Sequence, residues 1–104
     1  MSTRPIMLLA AVMLAASAQA DPLASQGREV FIEQAQPSCT LCHTLANAGA
    51  SGTIGPDLDK LVPSEQQVKA AVSSGVGVMP AYGDSLTSEQ ITAVARYVSS
   101  VSGK

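Results

Sequence analysis

The sequence predicts an all-α domain of about four short helices joined by long loops. Three observations carry that expectation. Apolar residues recur at helical spacing near both ends of residues 21–104. Two capping-box patterns, Ser64 with Gln67 and Thr87 with Gln90, each precede such a run. No stretch alternates apolar and polar residues as a half-buried strand would, and no internal repeat or linker is visible.

The chain opens on a different pattern. Arg4 is followed by an unbroken apolar run from Ile6 to Ala16, and Ala18-Gln19-Ala20 puts small residues at both ends of a cleavage site. A bilayer span takes about 20 apolar residues, whereas an export leader needs about 7–15 behind a positive start. Residues 1–20 are therefore expected to be a Sec-type signal peptide cut before Asp21, leaving residues 21–104 as one domain.

From Asp21 onward, Leu23, Gly27, Val30 and Phe31 fall on one helix face, and Pro37 is expected to end that helix. Cys39–Leu45 reads as a short helical turn. Asn47 to Pro56 holds Gly49, Gly52 and Gly55 without periodicity and reads as a loop. Ser64 caps a helix running to about Ser74 that buries Val68, Ala71 and Val72. A loop over Gly75–Gly83 carries Met79-Pro80. Thr87 caps the last helix, with Ile91, Val94, Ala95, Val98 and Val101 on one face.

Of the 104 residues 46% are hydrophobic but only 3% aromatic, and much of the hydrophobic share lies in the leader. Domains this small bury a modest share of their surface and often need a staple or a cofactor. Six Lys or Arg stand against eight Asp or Glu, and loss of Arg4 with the leader makes the domain more acidic. That excludes a basic nucleic-acid binder. No second apolar span follows, and position 21 is Asp rather than the Cys of a lipoprotein. The domain is expected to be soluble in the periplasm.

Cys39-Thr40-Leu41-Cys42-His43 is the most informative segment. A disulfide across so short a spacing closes almost no loop and would stabilise little. The C-x-x-C-H pattern is the attachment signature of a c-type haem. On one helical turn both thiols and the imidazole face the same side, so the thiols can form thioethers while His43 supplies the proximal iron ligand. A structural zinc site needs four protein ligands, and two Cys with one His fall short. A thiol–disulfide oxidoreductase would lower the thiol pKa in a βαβ setting, which this helical pattern lacks.

With Met1, Met7 and Met13 in the leader, Met79 is the one thioether in the domain, and His43 is the one His. Met79 either fills a gap in the core, the commoner use of Met, or supplies the sixth iron ligand. The haem motif and the glycines around Met79 favour the ligand. His/Met ligation raises the iron potential, and a filled sixth position leaves no open site for peroxide or oxygen. One-electron carriage then fits better than catalysis.

Over essentially all of residues 21–104 the chain resembles the class I monohaem cytochromes c. Gly27 with Phe31, and Val94 with Tyr97, are similar to the family's pairs on the first and last helices. Gly55-Pro56-Asp57-Leu58 resembles the stretch whose proline carbonyl accepts a hydrogen bond from the proximal imidazole, a role the resemblance assigns to Pro56. Val78-Met79-Pro80 is similar to the distal ligand loop. The resemblance implies a cytochrome c fold wrapped around one covalently bound haem. It also implies Cys39 and Cys42 as attachment points, and His43 and Met79 as axial ligands.

The Lys-rich rim of mitochondrial cytochromes is absent, and the short form resembles bacterial periplasmic carriers. Pro37-Ser38-Cys39 through Leu58 is similar to the electron acceptors of sulfite dehydrogenases. That implies such a dehydrogenase as donor, and a respiratory oxidase or another cytochrome as acceptor. Contact would be made through a small, largely apolar patch, below about 1,200 Å² as in other redox encounters. A permanent haem subunit of a periplasmic dehydrogenase is the alternative. Tyr82 is read as either a propionate partner or a packing group at the haem edge. Arg28, Lys60 and Lys69 are read as solvated, with Lys60 or Arg96 as further propionate candidates.

Overall fold

The computed structural model describes residues 21–104, together with positions 2, 3 and 5. The predicted leader core and its cleavage point lie outside the described residues. Four α-helices carry the domain: α1 (Pro22–Glu29), α2 (Leu58–Leu61), α3 (Glu65–Ser74) and α4 (Ser88–Val101). The all-α expectation is met.

Helix α1 starts where its chemistry says it should. The Asp21 carboxylate accepts from the amides of Leu23 and Ala24 at 3.1 and 3.4 Å. Pro22 occupies the first turn, where its missing N–H costs nothing. The helix then widens into a single π-turn over Val30–Gln34, and the Ala35 amide donates to the Val30 carbonyl at 2.9 Å. It therefore ends before Pro37, because Ala35 has already turned to an extended conformation.

Helices α1 and α4 form the main helix contact. They meet so closely at Gly27 that an added Cβ would lie 2.0 Å from the Ala93 carbonyl oxygen and 2.6 Å from the Tyr97 Cβ. One turn on, Phe31 sets its ring edge-to-face against Tyr97, with centroids 6.1 Å apart. Around this contact Val30, Phe31, Leu45, Val94 and Val98 are fully enclosed.

Both predicted capping boxes form. The Ser64 hydroxyl accepts from the Gln67 amide at 3.1 Å, and the Gln67 side chain accepts from the Ser64 amide at 2.8 Å. Thr87 and Gln90 repeat the pair at the same distances. The expected faces are inward, with Val68, Val72, Ile91, Val94, Ala95 and Val98 buried, and Ala71 and Val101 half-buried.

Two local expectations are corrected. Cys39–Leu45 is not one helical turn: a 3₁₀ turn covers Cys39–Leu41, and Thr44–Leu45 (β1) pairs antiparallel with Ala50–Ser51 (β2). Strands of two residues are too short to leave an alternating pattern. Helix α2 was not expected at all. It is four residues long and exists because the Asp57 carboxylate caps the amides of Asp59 and Lys60 at 3.0 and 3.4 Å. It stops at Val62, which takes the left-handed conformation (φ 46°) uncommon for a β-branched residue.

Candidate functional site

A cleft of about 490 Å³ opens between two walls, one made by residues 37–58 and the other by residues 76–82, with α3 contributing Val68 and Ala71. Its size lies within the range of about 300–1,000 Å³ that buries an organic ligand. Most of its lining side chains are apolar. Cys39, Cys42 and His43 line it from the first wall and Met79 from the second.

The first wall starts at Ser38, whose hydroxyl donates to the Ile32 carbonyl at 2.8 Å and accepts from the Thr40 amide at 3.3 Å. That anchors the Cys39 turn to the end of the π-turn. The His43 amide closes back on the Cys39 carbonyl at 3.0 Å, which puts residues 39 and 43 on one side. The following loop folds over this turn. The Gly55 amide donates to the Cys42 carbonyl at 2.6 Å, and the Gly52 amide to the His43 carbonyl at 3.1 Å. Both glycines are needed for the approach. A Cβ at Gly52 would lie 2.7 Å from the Cys42 backbone, and one at Gly55 would lie 2.8 Å from His43 Cε1.

The same loop presents the Pro56 carbonyl 2.7 Å from His43 Nδ1, the contact the resemblance implied. A carbonyl oxygen can only accept, so Nδ1 carries the proton and Nε2 keeps its lone pair for a ligand. Asp59 adds a tie that sequence reasoning missed. Its carboxylate accepts from the amides of Ala46 at 2.8 Å and Gly103 at 2.9 Å, which holds its pKa below the usual carboxylate range. Nothing around Asp59 in the sequence marks it, because both partners are remote in the chain.

The second wall is a tight turn. Val76 and Met79 exchange backbone hydrogen bonds at 3.2 and 2.9 Å, and Gly77 between them takes φ 57°. Met79 is half-buried and packs against the core, while Val76 and Val78 remain 64% and 89% exposed. Tyr82 is buried and lines the cleft. Its hydroxyl donates to the Pro37 carbonyl at 2.7 Å.

Arg96 bonds the carboxylates of Glu65 at 3.0 Å and Asp21 at 3.4 Å. Among the described residues no Lys or Arg lines the cleft, and Arg28, Lys60 and Lys69 lie exposed.

The residues present fit a c-type haem. Two separate thiols, an imidazole with an available nitrogen and a thioether share one largely apolar cleft, and the glycine cradle keeps the imidazole wall thin. Burial pushes the Cys39 thiol up to about 11, opposite to the lowered pKa that thiol–disulfide exchange uses. Among the described residues no helix is long and apolar enough to cross a membrane, and no further cluster of metal-ligating side chains occurs.

Residues 22–98 match the family model described as cytochrome C oxidase, cbb3-type, subunit III. Among solved structures, the chain is similar to the c-type cytochrome SorU from Sinorhizobium meliloti, at 50% identity and a TM-score of 0.79. The alignment covers 82% of this chain and 97% of that one. The search of curated proteins gives no match.

Proposed function

We propose, from the premise that this chain belongs to the cytochrome c family, that it is a periplasmic one-electron carrier with His43 and Met79 as its axial ligands. As a member of that family it carries a covalently bound c-type haem and transfers electrons. When bound, the haem supplies the redox step by cycling its iron between the ferric and ferrous states.

The observation that carries the axial assignment is the single cleft lined by Cys39, Cys42, His43 and Met79. The Cys39 and Cys42 sulfurs are the thioether attachment points. His43 offers Nε2, and the Pro56 carbonyl on Nδ1 holds the ring's orientation. Met79 lines the other wall and would offer its sulfur to the iron, where thioether ligation would raise the potential and leave no open position for an exogenous ligand. The apolar lining keeps water from the reacting centre, so the domain's task is to tune and protect an electron.

Residues 1–20 direct export to the periplasm and are removed before Asp21. The donor is a periplasmic dehydrogenase, of which a sulfite dehydrogenase is the one supported by the resemblance of residues 37–58. The acceptor is a respiratory oxidase or another cytochrome. A visible spectrum and intact mass of the exported protein test the site. The expected result is one haem adduct on a chain starting at Asp21, low-spin with a thioether signature. A high-spin ferric spectrum would remove Met79 from the ligand set.

The match to a model of an oxidase subunit favours a second reading, in which the domain is a permanent haem subunit of a larger enzyme. Gel filtration of native extract separates the two. A free carrier elutes at its own size, and a subunit travels with its enzyme.

A further inference from the structure

We infer that Tyr82 is a positioning residue that ties the Met79 wall to the Cys39 wall and thereby sets how readily Met79 is displaced by another ligand. The inference rests on the reading of Met79 as an axial ligand.

Tyr82 is only 5% exposed and stands three residues after Met79. Its backbone is held on both sides. The Tyr82 amide donates to the Val72 carbonyl at 2.8 Å, and its own carbonyl accepts from the Leu86 amide at 2.9 Å. Its hydroxyl crosses the cleft to the Pro37 carbonyl at 2.7 Å, two residues before Cys39. Among the described residues this is the one hydrogen bond between the Gly75–Gly83 loop and the segment that carries the attachment cysteines.

The rest of the loop has little else to hold it against that segment. Its inner turn closes only on itself, through Val76 and Met79, and the two valines of that turn face solvent. Gly75 and Gly77 both take positive φ, so the chain on the N-terminal side of Met79 lacks the stiffness of side-chain-bearing residues. Separating the two walls as Met79 leaves would stretch or break the Tyr82–Pro37 bond. The bond therefore adds to the free energy of opening and disfavours exchange of the sixth ligand.

The test is Tyr82→Phe on the haem-loaded protein, which keeps the core-packing ring and removes only the hydroxyl. Imidazole is titrated into the ferric form while the thioether–iron charge-transfer band is followed. The expected result is imidazole binding about 2–10-fold tighter than in the wild type, the factor that one neutral hydrogen bond carries. The limiting rate of Met79 displacement at saturating imidazole should rise with it.

Tyr97→Phe is the control for general loosening. It removes the domain's other phenolic hydroxyl, which bonds Asn47 Oδ1 at 2.6 Å and lies outside the cleft. Unchanged imidazole binding in Tyr82→Phe, or an equal rise in both variants, overturns the inference. A wild-type spectrum without the thioether band overturns the axial reading instead, so the two failures are distinguishable.

Discussion

The wall that carries Cys39, Cys42 and His43 is laced to itself, whereas the wall that carries Met79 is tied to α3 at its two ends and closes on itself in between. On the first, Gly52, Gly55, Pro56 and Asp59 each bond back to residues 42–46. On the second, the Val76–Met79 turn is closed only internally, and Tyr82 supplies its link across the cleft. The His43 side is thus held by several bonds within its own segment, while the Met79 turn closes on itself between the ties of Gly75 and Tyr82 to α3. A redox site gains from that division. On the proposed assignment one ligand would be locked in orientation by the Pro56 carbonyl, and the other would lie where small sequence changes can adjust it.

The comparison can be broken from the proximal side most severely. His43→Ala is expected to abolish haem maturation and with it the fold, because the cleft loses the group its glycine cradle is built around. Absorbance and circular dichroism of the exported protein check this, and a folded, haem-bearing variant would contradict it. Met79→Ala should be milder. It should keep covalent haem, bind exogenous ligands and lower the midpoint potential, within the span of about 0.8 V that axial ligation commands. Potentiometric titration measures the shift, and an unchanged potential would remove Met79 from the ligand role.

Two glycines sharpen the contrast. Gly55→Ala drives a Cβ to 2.8 Å from His43 Cε1 and 3.1 Å from Nδ1, so ring or loop must shift, at about 1–3 kcal/mol. Gly77→Ala meets nothing within 4 Å and carries only the strain of φ 57°, about 1–2 kcal/mol. Thermal unfolding compares their stabilities. Only Gly55→Ala should also move the potential, because only it touches the imidazole.

The smallest effect expected is on pH dependence. Asp59 has its folded pKa lowered by the Ala46 and Gly103 amides, so the stability it contributes is present above its ordinary pKa of about 3.9. That contribution is lost as pH falls through the lowered folded value. Asp59→Asn should flatten this acid limb of a Tm-against-pH curve while leaving the neutral-pH spectrum unchanged. An identical acid limb in the variant would show that the carboxylate ties do not matter.

Legibility in the sequence followed the range of the interaction. The two capping boxes were readable because Ser64 with Gln67 and Thr87 with Gln90 complete themselves within one turn. The Gly27 contact with the last helix was readable only through the family resemblance, since nothing local marks its partners Ala93 and Tyr97. Helix α2 and the β1–β2 pair escaped because elements of four and two residues carry no period. The partners of Tyr82 and Arg96 escaped for another reason. Their polar atoms are bonded to Pro37, and to Glu65 and Asp21, far away in the chain.

The sequence by itself determined the attachment chemistry and the donor inventory. Two thiols and an imidazole within one turn, and a single thioether in the domain, are facts of covalent order that no fold can rearrange. Tertiary structure alone decided how those groups are held. The bonds from Asp59 to Ala46 and from Tyr82 to Pro37 join residues whose spacing in the chain carries no signal. Each forms only when packing of α1 on α4 and closure of the glycine loop have brought distant backbone carbonyls and amides within hydrogen-bond reach.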